Sequence, residues 1–103
     1  MTTRIDEKTS STIADGLRGE APSAIPFRHL LATLDGVVTV SEAEIGAAVA
    51  IAAREARLVL EPSGAVSLAG LINRGTELPQ RPVVCVLSGG NVDSARYIEF
   101  LRG

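Results

Sequence analysis

The sequence lacks several groups on which protein function commonly depends. It has no tryptophan, one cysteine, one histidine and 3% aromatic residues. A single cysteine excludes a disulfide within the chain and favours a reducing, cytoplasmic setting. No apolar run approaches the ~18 residues of a membrane span, and the N-terminus has no apolar signal-peptide region. The net charge of -2 gives no basic surface, so neither nucleic acid nor a membrane is an expected partner.

The most informative stretch is a strand-turn-helix pattern near the C-terminal end. Val83–Leu87 is an unbroken apolar run that stops at Ser88–Asn91, and a helix is predicted from about residue 93 to 102. In α/β proteins, ligands gather at the carboxyl ends of such strands. Ser88 is the first polar side chain after the predicted strand and is therefore the first candidate for a functional role.

Other segments also show helical or strand patterns. A capping box, Ser41 to Glu44, predicts the start of a helix. Pro26 and Pro62 suit first helical turns, and Gly75 is expected to close the helix that begins near Pro62. Residues 1–25 and 74–81 show no regular pattern. The predicted helices are 26–34, 42–57, 62–73 and 93–102, and the predicted strands are 37–40 and 82–87.

The apolar surfaces exceed what these elements can cover. The run Val83–Leu87 has no alternation, so it requires neighbouring strands and helices on both faces. The helix over residues 45–53 has no polar face and is expected to be buried on most sides. Two interpretations follow: the chain is part of a larger α/β domain, or it is a small α/β domain that self-associates.

Two features allow both a functional and a structural reading. The turn Ser88–Asn91 could bind an anion through backbone amides, or offer the Ser88 hydroxyl to a ligand, or simply be a tight turn before a helix. Glu61, at the start of a helix, is either an acidic group of the same cleft or a charge that complements the helix dipole.

The remaining candidate residues are expected to have structural roles. His29 is alone, so a metal site is not expected. Ser63 and Ser67 lack the sequence context of a catalytic triad. Cys85 lies inside the apolar run and is expected to be an inert core thiol.

Three segments, in this order and spacing, resemble one enzyme family. They are TIADGL (Thr12–Leu17), VVTVSEAEI with the later EPSGA (Val37–Ala65), and VVCVLSGGNVD (Val83–Asp93). The chain resembles the C-terminal third of the threonine dehydratase and serine dehydratase family, which includes serine racemase. The resemblance covers residues 11–103, whereas residues 1–10 are interpreted as an unplaced, disordered leader. It implies a partial α/β domain of a fold type II pyridoxal-phosphate enzyme, with an incomplete parallel sheet and flanking helices.

The resemblance implies cofactor contacts for four residues. Ser88 matches the serine whose hydroxyl pairs with the pyridine nitrogen of pyridoxal phosphate, and Gly89 shares its turn. Gly16 matches a glycine whose backbone lies near the ring, and Glu61 a glutamate that lines the cleft. A neutral hydroxyl does not hold the ring nitrogen protonated, and the weaker electron sink suits β-elimination from serine or threonine.

The departures from the family limit what the chain alone is expected to do. The Schiff-base lysine segment, the substrate-carboxylate segment, the phosphate loop and the cation cluster are absent, and Lys8 has none of the expected neighbours. Gly19 stands where serine racemase has a serine, which favours a dehydratase. The expected function is therefore that of a C-terminal portion of a threonine or serine dehydratase (an ammonia-lyase), inactive alone. Its expected partners are an amino acid substrate in the complete enzyme and the missing N-terminal portion or a second copy.

An alternative reading of the same chain does not require the family's chemistry. In this reading it is a stand-alone binding or regulatory module that uses Ser88–Asn91 for an anion.

Overall fold

The computed structural model describes residues 11–19 and 21–103. These residues form four α-helices: α1 (Ala24–Thr33), α2 (Glu42–Ala56), α3 (Pro62–Arg74) and α4 (Ser94–Arg102). Short 3-10 turns lie at Asp15–Leu17 and Gly75–Glu77. The predicted leader, residues 1–10 with Lys8, lies outside the described residues.

The helix ends follow from local chemistry in the sequence. The predicted capping box is confirmed, since the Ser41 amide donates to Glu44 Oε1 at 2.7 Å and the Glu44 amide donates to Ser41 Oγ at 3.1 Å. Helix α3 begins at Pro62, as predicted. The Asp93 carboxylate accepts the Arg96 amide at 3.1 Å and caps α4.

Two helix boundaries differ from the prediction. Helix α1 begins at Ala24, two residues before Pro26, because proline is tolerated anywhere in the first turn. Gly75 has a right-handed conformation and leads into a 3-10 turn, so it does not end α3 in the expected left-handed conformation. A left-handed conformation ends α2 instead, where the C-cap residue Arg57 has φ 56°.

The core is formed where α2 packs against α3, with α4 on another side of α2. Over residues 45–53 of α2, only Ala47 is exposed. Alanine side chains are short, so two helices bury most of this apolar segment, and α2 needs fewer neighbours than the sequence predicts. The buried cluster consists of Ala14, Ile45, Ala48, Val49, Ala52, Leu60, Ala65 and Ala69.

Neither predicted strand is paired into a sheet among the described residues. No backbone–backbone hydrogen bond involves residues 37–40 or 82–87 there. The segment 82–87 is instead held on α3 by Ser67, whose hydroxyl donates to the Val86 carbonyl at 2.7 Å. A strand requires a hydrogen-bonded neighbour, and the described residues provide none. Residues 37–40 and 82–87 are therefore unpaired extended segments in the described chain, and Val84 remains 88% exposed.

Helix α1 lies apart from the core. It has no buried residue and contacts none of the other helices in the described chain. Ile25, Leu30, Leu31 and Leu34 all expose large apolar side chains. Among the described helices, none is long and apolar enough to cross a bilayer.

Candidate functional site

Three segments that are distant in sequence meet at the N-terminal end of α3. The Gly16 amide donates to Ser63 Oγ at 2.8 Å, which joins the first 3-10 turn to α3. The Glu61 amide donates to the Gly89 carbonyl at 3.0 Å, which joins the Ser88–Gly89 turn to the same helix end. The structure therefore brings together all four residues for which the family resemblance implies a cofactor contact.

Glycine allows the Ser88–Gly89 turn to lie directly on α3. A Cβ atom placed on Gly64 would overlap the Ser88 carbonyl oxygen and lie 2.9 Å from the Gly89 carbonyl oxygen. Gly89 has φ 85°, and a Cβ atom there would overlap the Glu61 carboxylate. The position of the turn relative to α3 thus depends on two residues that have no side chain.

The Ser88 hydroxyl is available to a ligand. Ser88 is exposed, and within the described residues no group hydrogen-bonds to its side chain. A hydroxyl in this position can donate to or accept from a heteroatom. The turn around it is fixed through Glu61 and Gly64, so the hydroxyl is presented by a defined piece of backbone.

Glu61 makes the turn unfavourable for an anion. It is the N-cap residue of α3, where the helix dipole favours a carboxylate, and its side chain lies against Gly89. The helix that follows the turn begins only at Ser94 and is capped by Asp93. The turn amides are therefore not at a helix N-terminus, and a negative ligand there would face the Glu61 carboxylate. This geometry disfavours the alternative of an anion-binding module.

A second anchor fixes the segment that contains Gly16. Glu42, in the first turn of α2, accepts the Thr12 hydroxyl at 2.5 Å and the Ile13 amide at 2.7 Å. Arg18 Nε donates to the Thr12 carbonyl at 2.9 Å. The Thr12 hydroxyl and the Ile13 amide hold the pKa of Glu42 below its ordinary value of 4.5, since both bonds favour the charged carboxylate.

Acid is expected to release this anchor. Because the folded-state pKa of Glu42 lies below 4.5, its contribution is complete above that pH and is lost as the pH falls through the folded-state value. Glu42 is largely exposed, so with solvent screening the contribution is about 1 kcal/mol. Amide exchange at Ile13, followed from pH 6 to 3 and corrected for intrinsic rates, should accelerate relative to the α2 core.

The matched variants for this prediction are Glu42→Gln and Glu44→Gln. Glu42→Gln should weaken Ile13 protection already at pH 6 and remove most of its pH dependence. Glu44, whose pKa is lowered mainly by the Ser41 amide and by Arg74, belongs to the other side of the helix end. Glu44→Gln should therefore leave the pH dependence of Ile13 protection in place. Equal responses in the two variants would contradict the assignment of the anchor to Glu42.

The other candidate groups lie away from this site or are already engaged. His29 is exposed on α1, with Nδ1 2.9 Å from the Ile25 carbonyl. The Ser67 hydroxyl is bonded to Val86. Cys85 is half-buried beside α3, which corrects its prediction as a core thiol. In the part of the chain that the structure describes, no group of three His, Cys, Asp or Glu residues could hold a metal.

Sequence reasoning missed three contributors to the site. Ser63 and Gly64 belong to the EPSGA segment, and that segment was the available signal for both. Glu42 was interpreted only as part of a helix start, and no local pattern links it to Thr12, which lies 30 residues away.

Comparison with known proteins shows the family to which this chain is similar. A model of the family described as pyridoxal-phosphate dependent enzyme matches residues 2–89. The L-threonine ammonia-lyase of Geobacter sulfurreducens is 40% identical over 82 residues, which are 80% of this chain and 20% of that protein. The L-threo-3-hydroxyaspartate ammonia-lyase of Saccharomyces cerevisiae is 33% identical over 95 residues, which are 92% of this chain and 29% of that protein.

A solved structure has the same fold as this chain over most of its length. Threonine deaminase from T.th. superposes with a TM-score of 0.81 at 36% identity, covering 89% of this chain and 30% of that chain. The chain thus spans 20% to 30% of the length of the proteins that it matches here.

Proposed function

Because the chain belongs to the pyridoxal-phosphate dependent enzyme family and has the fold of part of a fold type II member, we propose that it supplies one side of a cofactor site in a threonine or serine dehydratase. The reaction removes water from a β-hydroxy amino acid and then releases ammonia, leaving a 2-oxo acid. The observation that carries this proposal is the exposed Ser88 hydroxyl, without a partner in the described chain, on a turn fixed to α3.

The residues around Ser88 fit the aromatic nitrogen of this cofactor. When bound, pyridoxal phosphate supplies an electron sink for the bond broken at the substrate Cα. The Ser88 hydroxyl would donate to the pyridine nitrogen and remain neutral, so it would orient the ring without fixing a proton on it. Glu61 and the Gly16 turn, which Ser63 holds at the N-terminal end of α3, would line the cleft beside the ring.

This chain takes no covalent part in the proposed reaction. Its one lysine, Lys8, lacks the sequence neighbours of the family's Schiff-base lysine. A group that moves the substrate Cα proton must therefore come from another polypeptide segment. Residues 11–103 are accordingly proposed to act as the C-terminal part of the cofactor domain. The free Cys85 thiol suits a reducing cytoplasmic setting.

Reconstitution tests this function. The purified chain with pyridoxal phosphate and L-threonine is expected to produce no 2-oxobutanoate. Co-expression with the portion of the T.th. threonine deaminase that this chain does not match should restore turnover, measured as 2-oxobutanoate release. The control is that same portion expressed alone, which should be inactive. Turnover by the chain alone, or a folded complex without turnover, would contradict the proposal.

A further inference from the structure

The segment that carries Gly16 is attached to the N-terminal ends of two helices. At one end, the Thr12 hydroxyl donates to Glu42 in the first turn of α2. At the other end, the Gly16 amide donates to Ser63 in the first turn of α3. Residues 12–16 therefore form a strap between the two helices, and the glycine of the proposed cofactor site lies at its α3 end.

A chain of hydrogen bonds connects Glu42 to the turn that contains Gly16. The Thr12 hydroxyl donates to Glu42 Oε1 at 2.5 Å and accepts the Ala14 amide at 3.2 Å. Ala14 is buried in the core, and its carbonyl accepts the Leu17 amide at 2.9 Å, which closes the 3-10 turn. The place where this turn begins therefore depends on Thr12, whose hydroxyl is held by Glu42.

The α2 end of the strap requires a carboxylate. Glu42 Oε2 accepts the Ile13 amide at 2.7 Å, while Oε1 accepts the Thr12 hydroxyl. A glutamine has a single acceptor oxygen, so in Glu42→Gln either the Ile13 amide or the Thr12 hydroxyl proton would lose its partner. The substitution thus weakens this end of the strap while it leaves the shape of the side chain almost unchanged.

We infer that Glu42 is a positioning residue for the cofactor, acting through the strap on the Gly16 turn, and this rests on the proposed function. Within the described chain, Glu42 hydrogen-bonds to Thr12 and Ile13 and to no residue of the site itself. A Cβ atom on Gly16 would lie 2.9 Å from Ser63 Oγ, so the backbone alone forms this side of the site. The placement of that backbone is what Glu42 controls.

A positioning role predicts a change in cofactor affinity rather than in the reaction rate. Weakening the α2 end lowers the fraction of molecules whose Gly16 turn is in place, and the apparent Kd rises as that fraction falls. Glu42→Gln should raise the Kd for pyridoxal phosphate about fivefold in the reconstituted complex, measured by equilibrium dialysis, while kcat at saturating cofactor changes by no more than about twofold. A role confined to stability would leave this Kd unchanged.

Further variants test whether the effect passes through Thr12. Thr12→Val removes the hydroxyl that links Glu42 to Ala14, so it should raise the Kd as Glu42→Gln does. Both changes together should do no more than either alone, since they break one contact. Thr12→Ser retains the hydroxyl and should retain the original Kd. Glu44→Gln is the matched control, because Glu44 pairs with Arg74 and not with the strap.

Amide exchange in the isolated chain measures the same coupling without cofactor. The Gly16 amide is bonded to Ser63 and not to Glu42, so a response of Gly16 to Glu42→Gln requires transmission along the strap. Exchange at Gly16 should accelerate about fivefold in Glu42→Gln, because the turn opens more often. Exchange at Val49, in the α2 core, should not change.

These measurements distinguish failure of the positioning role from failure of the proposed function. Unchanged exchange at Gly16, an unchanged Kd, or an equal rise of Kd in Glu44→Gln would each overturn the role given to Glu42. Faster exchange at Gly16 with a raised Kd but no threonine turnover would support that role and contradict the function. If the two polypeptides do not associate, the function is contradicted, and exchange at Gly16 in the isolated chain still decides whether Glu42 controls the turn.

Discussion

Gly64→Ala should detach the Ser88–Gly89 turn from α3 and lower the free energy of unfolding by about 2–3 kcal/mol. The added Cβ atom would overlap the Ser88 carbonyl oxygen and lie 2.7 Å from the Ser88 carbonyl carbon. These are backbone atoms, so no rotation of a side chain relieves the overlap. Alanine has a helix propensity about 1 kcal/mol better than glycine, but this gain is smaller than the cost of moving the turn. Urea unfolding followed by circular dichroism at 222 nm measures the loss.

Gly70→Ala is the matched control for this change. Gly70 is also buried within α3, but its added Cβ atom would meet only Val38 Cγ2 at an ordinary 3.5 Å. This variant should be unchanged or up to about 1 kcal/mol more stable. If Gly64→Ala proved as stable as Gly70→Ala, the close packing of the turn on α3 would be refuted.

Ser88→Asp should reduce the threonine turnover of the reconstituted enzyme by about 100-fold, the order of effect of losing one oriented hydrogen-bond partner in an active site. An aspartate carboxylate would hold a proton on the pyridine nitrogen and deepen the electron sink, which favours side reactions over β-elimination. It would also place a second negative charge beside the turn that Glu61 contacts. The quantities to measure are kcat for L-threonine and the absorption spectrum of the bound cofactor.

Two further substitutions separate charge from hydrogen bonding at this position. Ser88→Thr retains the hydroxyl and should retain most of the turnover. Ser88→Ala retains neutrality but loses the hydroxyl, so it should weaken cofactor binding while changing the spectrum less than Ser88→Asp. A Ser88→Asp enzyme with unchanged kcat would remove Ser88 from the proposed cofactor contact.

Features of the fold that depend on neighbouring residues were predictable from the sequence. The Ser41–Glu44 capping box, Pro62 at the start of α3 and Asp93 before α4 all act within four residues, and α2, α3 and α4 lie within one residue of their predicted bounds. The pairing of residues 37–40 and 82–87 could not be predicted in the same way. Strand formation depends on a distant partner as well as on β-branched side chains, and the described chain supplies no such partner.

The site was predictable only where a motif marked it. The segments that contain Gly16, Glu61 and Ser88 could be identified separately, and the structure brings them to one end of α3. Their mutual arrangement could not be derived, because it depends on long-range contacts such as that between Glu42 and Thr12. Close approach at Gly64 was also hidden, since a glycine in a helix gives no indication of what lies opposite.

The small side chains between α2 and α3 restrict how this sequence can change over evolutionary time. Ala48 and Ala52 on one helix and Ala65 and Ala69 on the other are all buried in one cluster. Most replacements of an alanine introduce a larger or a charged side chain, and either would move α3 together with the turns attached to its N-terminus. Substitutions that leave the position of α3 unchanged are therefore expected at residues outside this contact.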